Sequence, residues 1–268
     1  HLEVASLRIH KTGGGMSEPF YCTLLFAMFL YRLRGKNRGV ISMVRYPLRL
    51  LTLQQGQRLL KLIAHAELVR RERTIGDWPF EIGFWVGSSN TPNRYSHVPS
   101  VVPLIDDGQH PDDTRLEEGA YGLTDDERKK AHRYREFRSA YNKVPECPVC
   151  ASSTGLRRFT GEGPTARRLG IVCFNRACAF NRAHEVATAL PFLLTDDTIY
   201  ARAPSVVLGT IDKMAMLGQH TATIRQLLGM FGLARGIGPT GHLYSTPIAG
   251  DIRATLAADG YREVFPAF

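Results

Sequence analysis

No stretch of these 268 residues stays apolar for long enough to cross a bilayer. A spanning helix needs about 20 consecutive apolar residues, and the longest run, "CTLLFAMFLY" (22 to 31), gives way at once to "RLRGKNR". The first residues are mixed in polarity and carry no cleavage-like site, so no signal peptide is read there and the expected compartment is the cytoplasm. Acidic residues are in deficit: 25 Asp and Glu stand against 34 Lys and Arg, giving +9 and a pI near 9.5. That balance favours a polyanionic partner, nucleic acid first. Internal repeats and low-complexity segments are absent too. What remains, 44% apolar and 22% charged residues, is the composition of an ordinary globular protein with ample length for a core. The chain opens on His1 rather than methionine and stops at "EVFPAF", which raises the expectation that it is a piece of a longer protein.

Periodicity supplies an outline. Residues 3 to 9 have the branched residues of a short strand. Ser17 to Leu33 is apolar nearly all round, as in a helix packed between a sheet and its neighbours. "VISMV" (40 to 44) reads as a buried parallel strand. Thr52 to Arg73 is helical, with Leu53, Leu59, Leu60, Ile63, Ala64 and Leu68 on one face. "FEIGFWVG" (80 to 87) is a third strand, and "PSVVLGTIDKMAML" (204 to 217) is a buried strand followed by a helix. Alternation of strand and helix is the mark of a doubly wound α/β sheet. Between these parts the pattern dissolves into turns and one polar helix that opens at "TDDE", where Thr124 and Glu127 form a capping box. The chain thus divides into 1–90, the first part of an α/β domain; 91–144, a variable insertion; 145–190, a cysteine-bearing insertion; and 191–268, the continuation of the α/β domain.

Of five cysteines, four lie in "CPVC" and "CFNRAC". A two-residue gap lets a tight turn aim both thiolates at one metal, and a second knuckle completes a tetrahedron. Cys147, Cys150, Cys173 and Cys178 are therefore expected to hold Zn²⁺, with "LRRF" and "RLGIVC" as the strands of a zinc ribbon. Disulfides do not suit a cytoplasmic chain. The arginines around the knuckles (Arg157, Arg158, Arg167, Arg168, Arg176 and Arg182) suit either phosphates or a solvated face. Cys22, in the apolar helix, is expected in the core.

The stretch "HKTGGGMSEPFY" (10 to 21) has the small residues of a phosphate loop at a helix N-terminus, where backbone N–H groups can approach a phosphate. Ser17 supplies a hydroxyl for Mg²⁺. Met16 stands where such a loop places lysine. As a pattern it fits a nucleotide loop or a plain glycine turn.

"TGGGMSEPFY", then "FLYRLRGKNRGVISMVRYPLRLLTLQQGQRLL", then "PSVVLGTIDKMAML" together resemble, in order, three segments of the large bacterial superfamily 2 (DEAD/DEAH-like) helicases, a group that includes the DISARM phage-defence helicase. The likeness covers 10 to 90 and 145 to 231 and includes cysteine knuckles between the last two segments. It implies a RecA-like P-loop NTPase fold with an inserted zinc ribbon. It places Thr12, Gly13, Gly14, Gly15, Met16, Ser17 and Glu18 at an ATP loop, and Arg45, Arg49, Thr52 and Gln55 against the nucleic-acid backbone. Thr210, Asp212 and Lys213 fall in a later turn with a similar job, though Asp212 also reads as a helix N-cap. Implied partners are nucleic acid, DNA foremost, and the rest of a helicase chain or defence-system proteins.

Two departures weigh against hydrolysis. Met16 removes the charge that acts on the β- and γ-phosphates, so ATP/Mg²⁺ binding is expected to be weak or lost. No acidic box follows the "TIDK" segment before Phe268, and "PFLLTDD" (191 to 197) resembles a connecting segment of the family rather than that box. A second motor domain with its arginine finger is not among these residues either. No catalytic residue is assigned. The expected function is that of an N-terminal helicase-domain fragment with a degenerate phosphate loop. The alternatives are an inactive zinc-containing module that binds nucleic acid or protein, and the remnant of a degraded helicase gene.

Overall fold

The structure, a computed structural model, describes residues 17–36, 38–46, 49–87, 91–105, 123–160, 167–183 and 188–215, with short pieces at 224, 227, 229–233, 236–237, 243–244 and 262–263. The strand expected at 3 to 9 and the glycine loop at 10 to 16 lie outside the described residues. In chain order the elements are α1 (Ser17–Leu33), β1 (Ser42–Tyr46), α2 (Arg49–Glu72), β2 (Ile82–Trp85), β3 (Leu104–Ile105), α3 (Asp125–Tyr141), β4 (Thr154–Phe159), β5 (Arg168–Cys173), α4 (Ala179–Ala183), β6 (Phe192–Leu193), α5 (Asp196–Arg202), β7 (Val206–Thr210) and α6 (Ile211–Ala215). A 3₁₀ turn covers Tyr95–His97.

The centre is a four-stranded parallel sheet in the order β1-β7-β2-β6. The strand latest in sequence, β7, fills the gap left between β1 and β2, with Val44 opposite Leu208 and Phe84 opposite Leu208 on its other side. Its run "VVLGT" is buried throughout, as a strand covered on both faces must be. Alternate residues go to opposite layers. Val206, Leu208, Ile82, Phe84 and Phe192 join Tyr21, Leu24 and Met28 of α1 and Leu59, Leu60 and Ile63 of α2 in one cluster. Val207, Trp85 and Leu193 pack with Ile199, Tyr200 and Met230 in another.

Several boundaries and exposures differ from the sequence reading. β1 starts two residues later than "VISMV" suggests, and α2 begins at Arg49 rather than Thr52. "PFLLTDD" contains an edge strand of the sheet, β6, rather than a mere connection. Cys22 is exposed rather than in the core. An all-round apolar helix gives no clue to its inward face; α1 turns Tyr21, Leu24 and Met28 inward, one helical face, and leaves Phe26 and Leu33 about 70% exposed. The capping box at Thr124 and Glu127 forms as expected.

Most buried residues of the insertion join the main core, and only Ile105, Phe159 and Val172 form a small cluster apart from it among the described residues. Tyr134 of α3, Leu156, Ile171, Cys147, Cys173 and Cys178 belong to the same apolar cluster as α1 and α2. β4 and β5 are antiparallel, and β3 adds parallel to β4. At Gly170 a Cβ would stand 2.6 Å from the Phe159 ring and from Ala189 Cβ, so the close approach of these segments needs glycine there.

Buried charges gather at the amino-terminal edge of the parallel sheet. Glu81, just before β2, takes the Arg202 guanidinium at 2.7 to 2.9 Å. Arg202 and Arg38 each lie 5.0 Å from the Trp78 ring centroid. On α2, Glu67 accepts from Arg70 at 2.7 and 2.8 Å and from the Phe80 N–H at 2.9 Å. Arg32, buried against the Phe80 ring, is lowered to about 10 by burial first and by the nearby Arg70 charge second. This layer ties the ends of α1, α2 and α5 together on the side of the sheet away from the strand carboxyl ends.

Candidate metal centre and nucleic-acid face

The two cysteine knuckles meet. Ala151 N–H donates to Cys147 O at 2.9 Å and Cys147 N–H to Ser152 O at 2.8 Å, closing the "CPVC" turn with Ala151 left-handed at φ 59°. The longer "CFNRAC" knuckle needs more help, and two asparagines provide it. Asn175 Oδ1 accepts the Ala177 N–H, and Asn181 Nδ2 donates to the carbonyls of Cys173 and Asn175. Neither asparagine stood out in sequence; the extra two residues between the cysteines were the available signal.

The four sulfurs lie within 4.8 Å of one another. Cys150 and Cys173 Sγ are 3.5 Å apart, and Cys147 and Cys178 Sγ 3.8 Å. Sulfurs at 2.3 Å from a tetrahedral zinc ion are about 3.8 Å apart, so the spacing fits that ion. The electrostatics fit as well. A hydrogen bond from Cys173 holds the Cys147 thiol down to about 5, while the same contact pushes Cys173 up, and burial pushes Cys178 up to about 11. Crowded thiols of this kind ionise together only if a cation neutralises them. The chemistry of the set is that of a closed structural site with no open position for substrate.

The knuckle arginines divide. Arg157 is 2% exposed and stacks between Tyr134 and Phe174, so it is a core residue and not a phosphate grip. Arg158 donates to the carbonyls of Val102 and Ser100. Arg168 stacks on Phe159 at 4.9 Å. Arg167, Arg176 and Arg182 are exposed.

The residues expected against nucleic acid come from distant parts of the chain and converge at the carboxyl ends of the parallel strands. Arg45 and Tyr46 of β1 pair with Gly209 and Thr210 of β7. Arg45 is exposed. Arg49 opens α2 just beyond it; its side chain and that of Thr52 lie outside the described residues. Gln55 Oε1 accepts the Tyr21 hydroxyl at 2.7 Å, which joins α2 to α1. Ser17 and Glu18 open α1, and the rest of the glycine loop, Thr12 to Met16, is outside the described residues.

Thr210 is buried, and its Oγ1 accepts the Lys213 N–H at 3.4 Å. The hydroxyl that caps α6 is therefore that of Thr210, and Asp212 is not the N-cap; it is the second residue of the helix, exposed. Lys213 Nζ meets Asp196 Oδ2 at 2.5 Å and lies 5.8 Å from the Trp85 ring. Burial raises the Asp196 carboxyl, and Lys213 pulls it back. Asp196, read from sequence as part of a connecting segment, is thus the partner of a residue expected to meet phosphate.

Fold and site together define a parallel α/β protein with a four-cysteine cluster of metal-binding spacing inserted beside the sheet. No protein-family model matches the chain. Over 226 residues it is 30% identical to the DISARM protein DrmA of Bacillus paralicheniformis (strain ATCC 9945a / NCIMB 11709 / CD-2), a match that takes in 80% of this chain and 18% of DrmA. The chain therefore spans less than a fifth of that relative's length. Among the described residues no helix is long and apolar enough to cross a membrane.

Proposed function

We propose that the chain is a RecA-like motor domain of a superfamily 2 helicase related to DrmA, built on a degenerate phosphate loop and carrying a structural zinc ribbon. The observation that carries this reading is the similarity to a DISARM protein over 80% of the chain. The sheet supports it: in open α/β sheets ligands bind outside the strand carboxyl ends, and Arg45 and the Thr210–Lys213 turn lie side by side there. Nucleic acid, DNA foremost, would contact Arg45, Arg49, Thr52, Gln55 and Lys213. Lys213 would exchange Asp196 for a phosphate, and Thr210 would act by capping the turn that presents it. Zinc would supply a fixed cross-link between the two knuckles, with no part in chemistry.

The phosphate loop would offer backbone N–H groups from Gly13 to Gly15 and the Ser17 hydroxyl, without the lysine charge. Met16→Lys is expected to raise ATP affinity by on the order of tenfold or more, the worth of one charge-assisted hydrogen bond. Titration calorimetry on both proteins checks this, and an absence of nucleotide binding in both rejects the loop. Met16 is also the observation that favours a second reading, an inactive zinc-bearing module that still binds nucleic acid. For the nucleic-acid face, Arg45→Ala is expected to weaken DNA binding and to reduce the slope of log K against log salt by roughly one. Affinity that does not change with salt would remove phosphate contacts from either reading.

A further inference from the structure

The carboxyl end of the parallel sheet does not finish at β6. Beyond it stands the loop from Thr91 to Val98, held at both ends by the core and by hydrogen bonds. Thr91, Val98 and Val102 are buried. Asp197, at the start of α5, accepts the Tyr95 N–H at 2.7 Å, and its own N–H donates to Asn93 O at 3.3 Å. From the ribbon side Arg158 grips Val102 O and Ser100 O at 2.7 and 3.0 Å, and β3 pairs with the end of β4. A loop fixed in this way presents its outward side chains with little ordering cost on binding.

Among those side chains Arg94 and His97 are exposed and Tyr95 is half-buried. Exposed Arg167 precedes β5, next to the register that pairs Arg168 with Phe159 and Leu169 with Arg158. Burial pushes the Tyr95 phenol up, and the charges of Arg158 and Arg167 draw it back, so the ring stands in a positive field. Asp197, the carboxylate that holds the loop, is already engaged: Oδ1 accepts from Thr195 and from the Thr198 N–H, and Oδ2 from the Tyr95 N–H. An anchored aromatic ring near exposed guanidinium groups is an arrangement that binds single-stranded nucleic acid, the ring stacking on a base and the cations meeting phosphates.

We propose that this loop and the adjoining ribbon edge form a second nucleic-acid surface that takes a single strand, with Tyr95 as the stacking platform and Arg94 and Arg167 as phosphate contacts. It deepens the nucleic-acid reading above and rests on it. The surface lies beyond the β6 end of the sheet and Arg45 at the β1 end, at least three strand spacings or about 14 Å apart. A strand of a few nucleotides covers that distance, crossing Lys213 on the way. The insertion then has a role that its zinc centre alone does not supply: it prolongs the basic track from the sheet onto the ribbon.

The test is equilibrium binding of a fluorescein-labelled oligothymidylate, and of a duplex of equal length, across a salt series. Wild type is compared with Tyr95→Ala, Tyr95→Phe, the double variant Arg94→Ala/Arg167→Ala, and Arg45→Ala, each with its melting temperature. Tyr95→Ala is expected to weaken the single strand about five- to hundredfold at an unchanged salt slope, Tyr95→Phe to bind as wild type, and duplex affinity to change little. The double arginine variant is expected to lower the salt slope by roughly one and a half. Wild-type affinity in Tyr95→Ala and the double variant, with Arg45→Ala weakened, overturns this surface and leaves the first reading standing. Equal losses for duplex and single strand overturn the stacking role, as does a Tyr95→Phe as weak as Tyr95→Ala. If wild type binds neither oligonucleotide, the nucleic-acid reading falls and this surface with it.

Discussion

Removing the metal from the four-cysteine centre, by a chelator or by Cys173→Ser, is expected to unfold the ribbon and lower the melting temperature by on the order of 10 °C or more. Apparent zinc-binding energies of small structural sites are about 10–16 kcal/mol, comparable to the whole stability of an ordinary domain, about 5–15 kcal/mol. Without the ion, four close sulfurs keep their mutual repulsion and β4, β5 and α4 lose their cross-link. The effect does not stop at the ribbon, because Cys147, Cys173 and Cys178 share one apolar cluster with Phe180, Leu190 and the residues under α2. Zinc content by atomic absorption and thermal melting with and without chelator check the expectation. A protein that holds no zinc and melts unchanged would show that the cysteines are only packed thiols. Serine at Cys173 should reproduce the chelated state, since a neutral hydroxyl is a poor fourth ligand.

Glu81→Ala is the second large change. It strips the carboxylate from Arg202, whose side chain is 8% exposed and pinned against Trp78. Breaking a buried pair on one side typically costs about 3–5 kcal/mol, since the remaining charge has lost both water and partner. Here the loss also unfastens α5 from the start of β2, because Arg38 donates to the carbonyls of Ala201 and Arg202 and relies on that helix end being fixed. Urea unfolding of Glu81→Ala should show the drop, and Glu81→Met with Arg202→Met should recover part of it. A loss under about 1 kcal/mol would mean that water screens the pair. The nucleic-acid affinity proposed for the opposite edge of the sheet should be unaffected in whatever fraction remains folded.

Much of this organisation is legible along the chain because its causes are local. The knuckles were readable since zinc chemistry forces both the residue type and the spacing. β7 announced itself as a continuous apolar run, and Thr124 as the cap of a helix with Glu127 three residues on. Other features depend on partners far away in sequence. Cys22 sits on a helix whose apolar residues surround it, so only the docking of α1 decides that it faces outward. Arg157 looked like its neighbour Arg158, yet strand alternation sends one under Tyr134 and Phe174 and the other to the Val102 carbonyl. β6 is two residues long, too short for any period to register, and becomes a strand only because β2 offers it an edge.

The sequence by itself determined the alternation of strand and helix, the four clustered cysteines and the basic segments, because backbone propensity, ligand spacing and charge act at short range. Tertiary structure alone decided the strand order that sets Arg45 beside the Thr210 turn, the pairing of Lys213 with Asp196, and the anchoring of Tyr95 by Asp197. Those are contacts between residues that the chain keeps apart, and burial and strand register, which no local pattern encodes, bring them together.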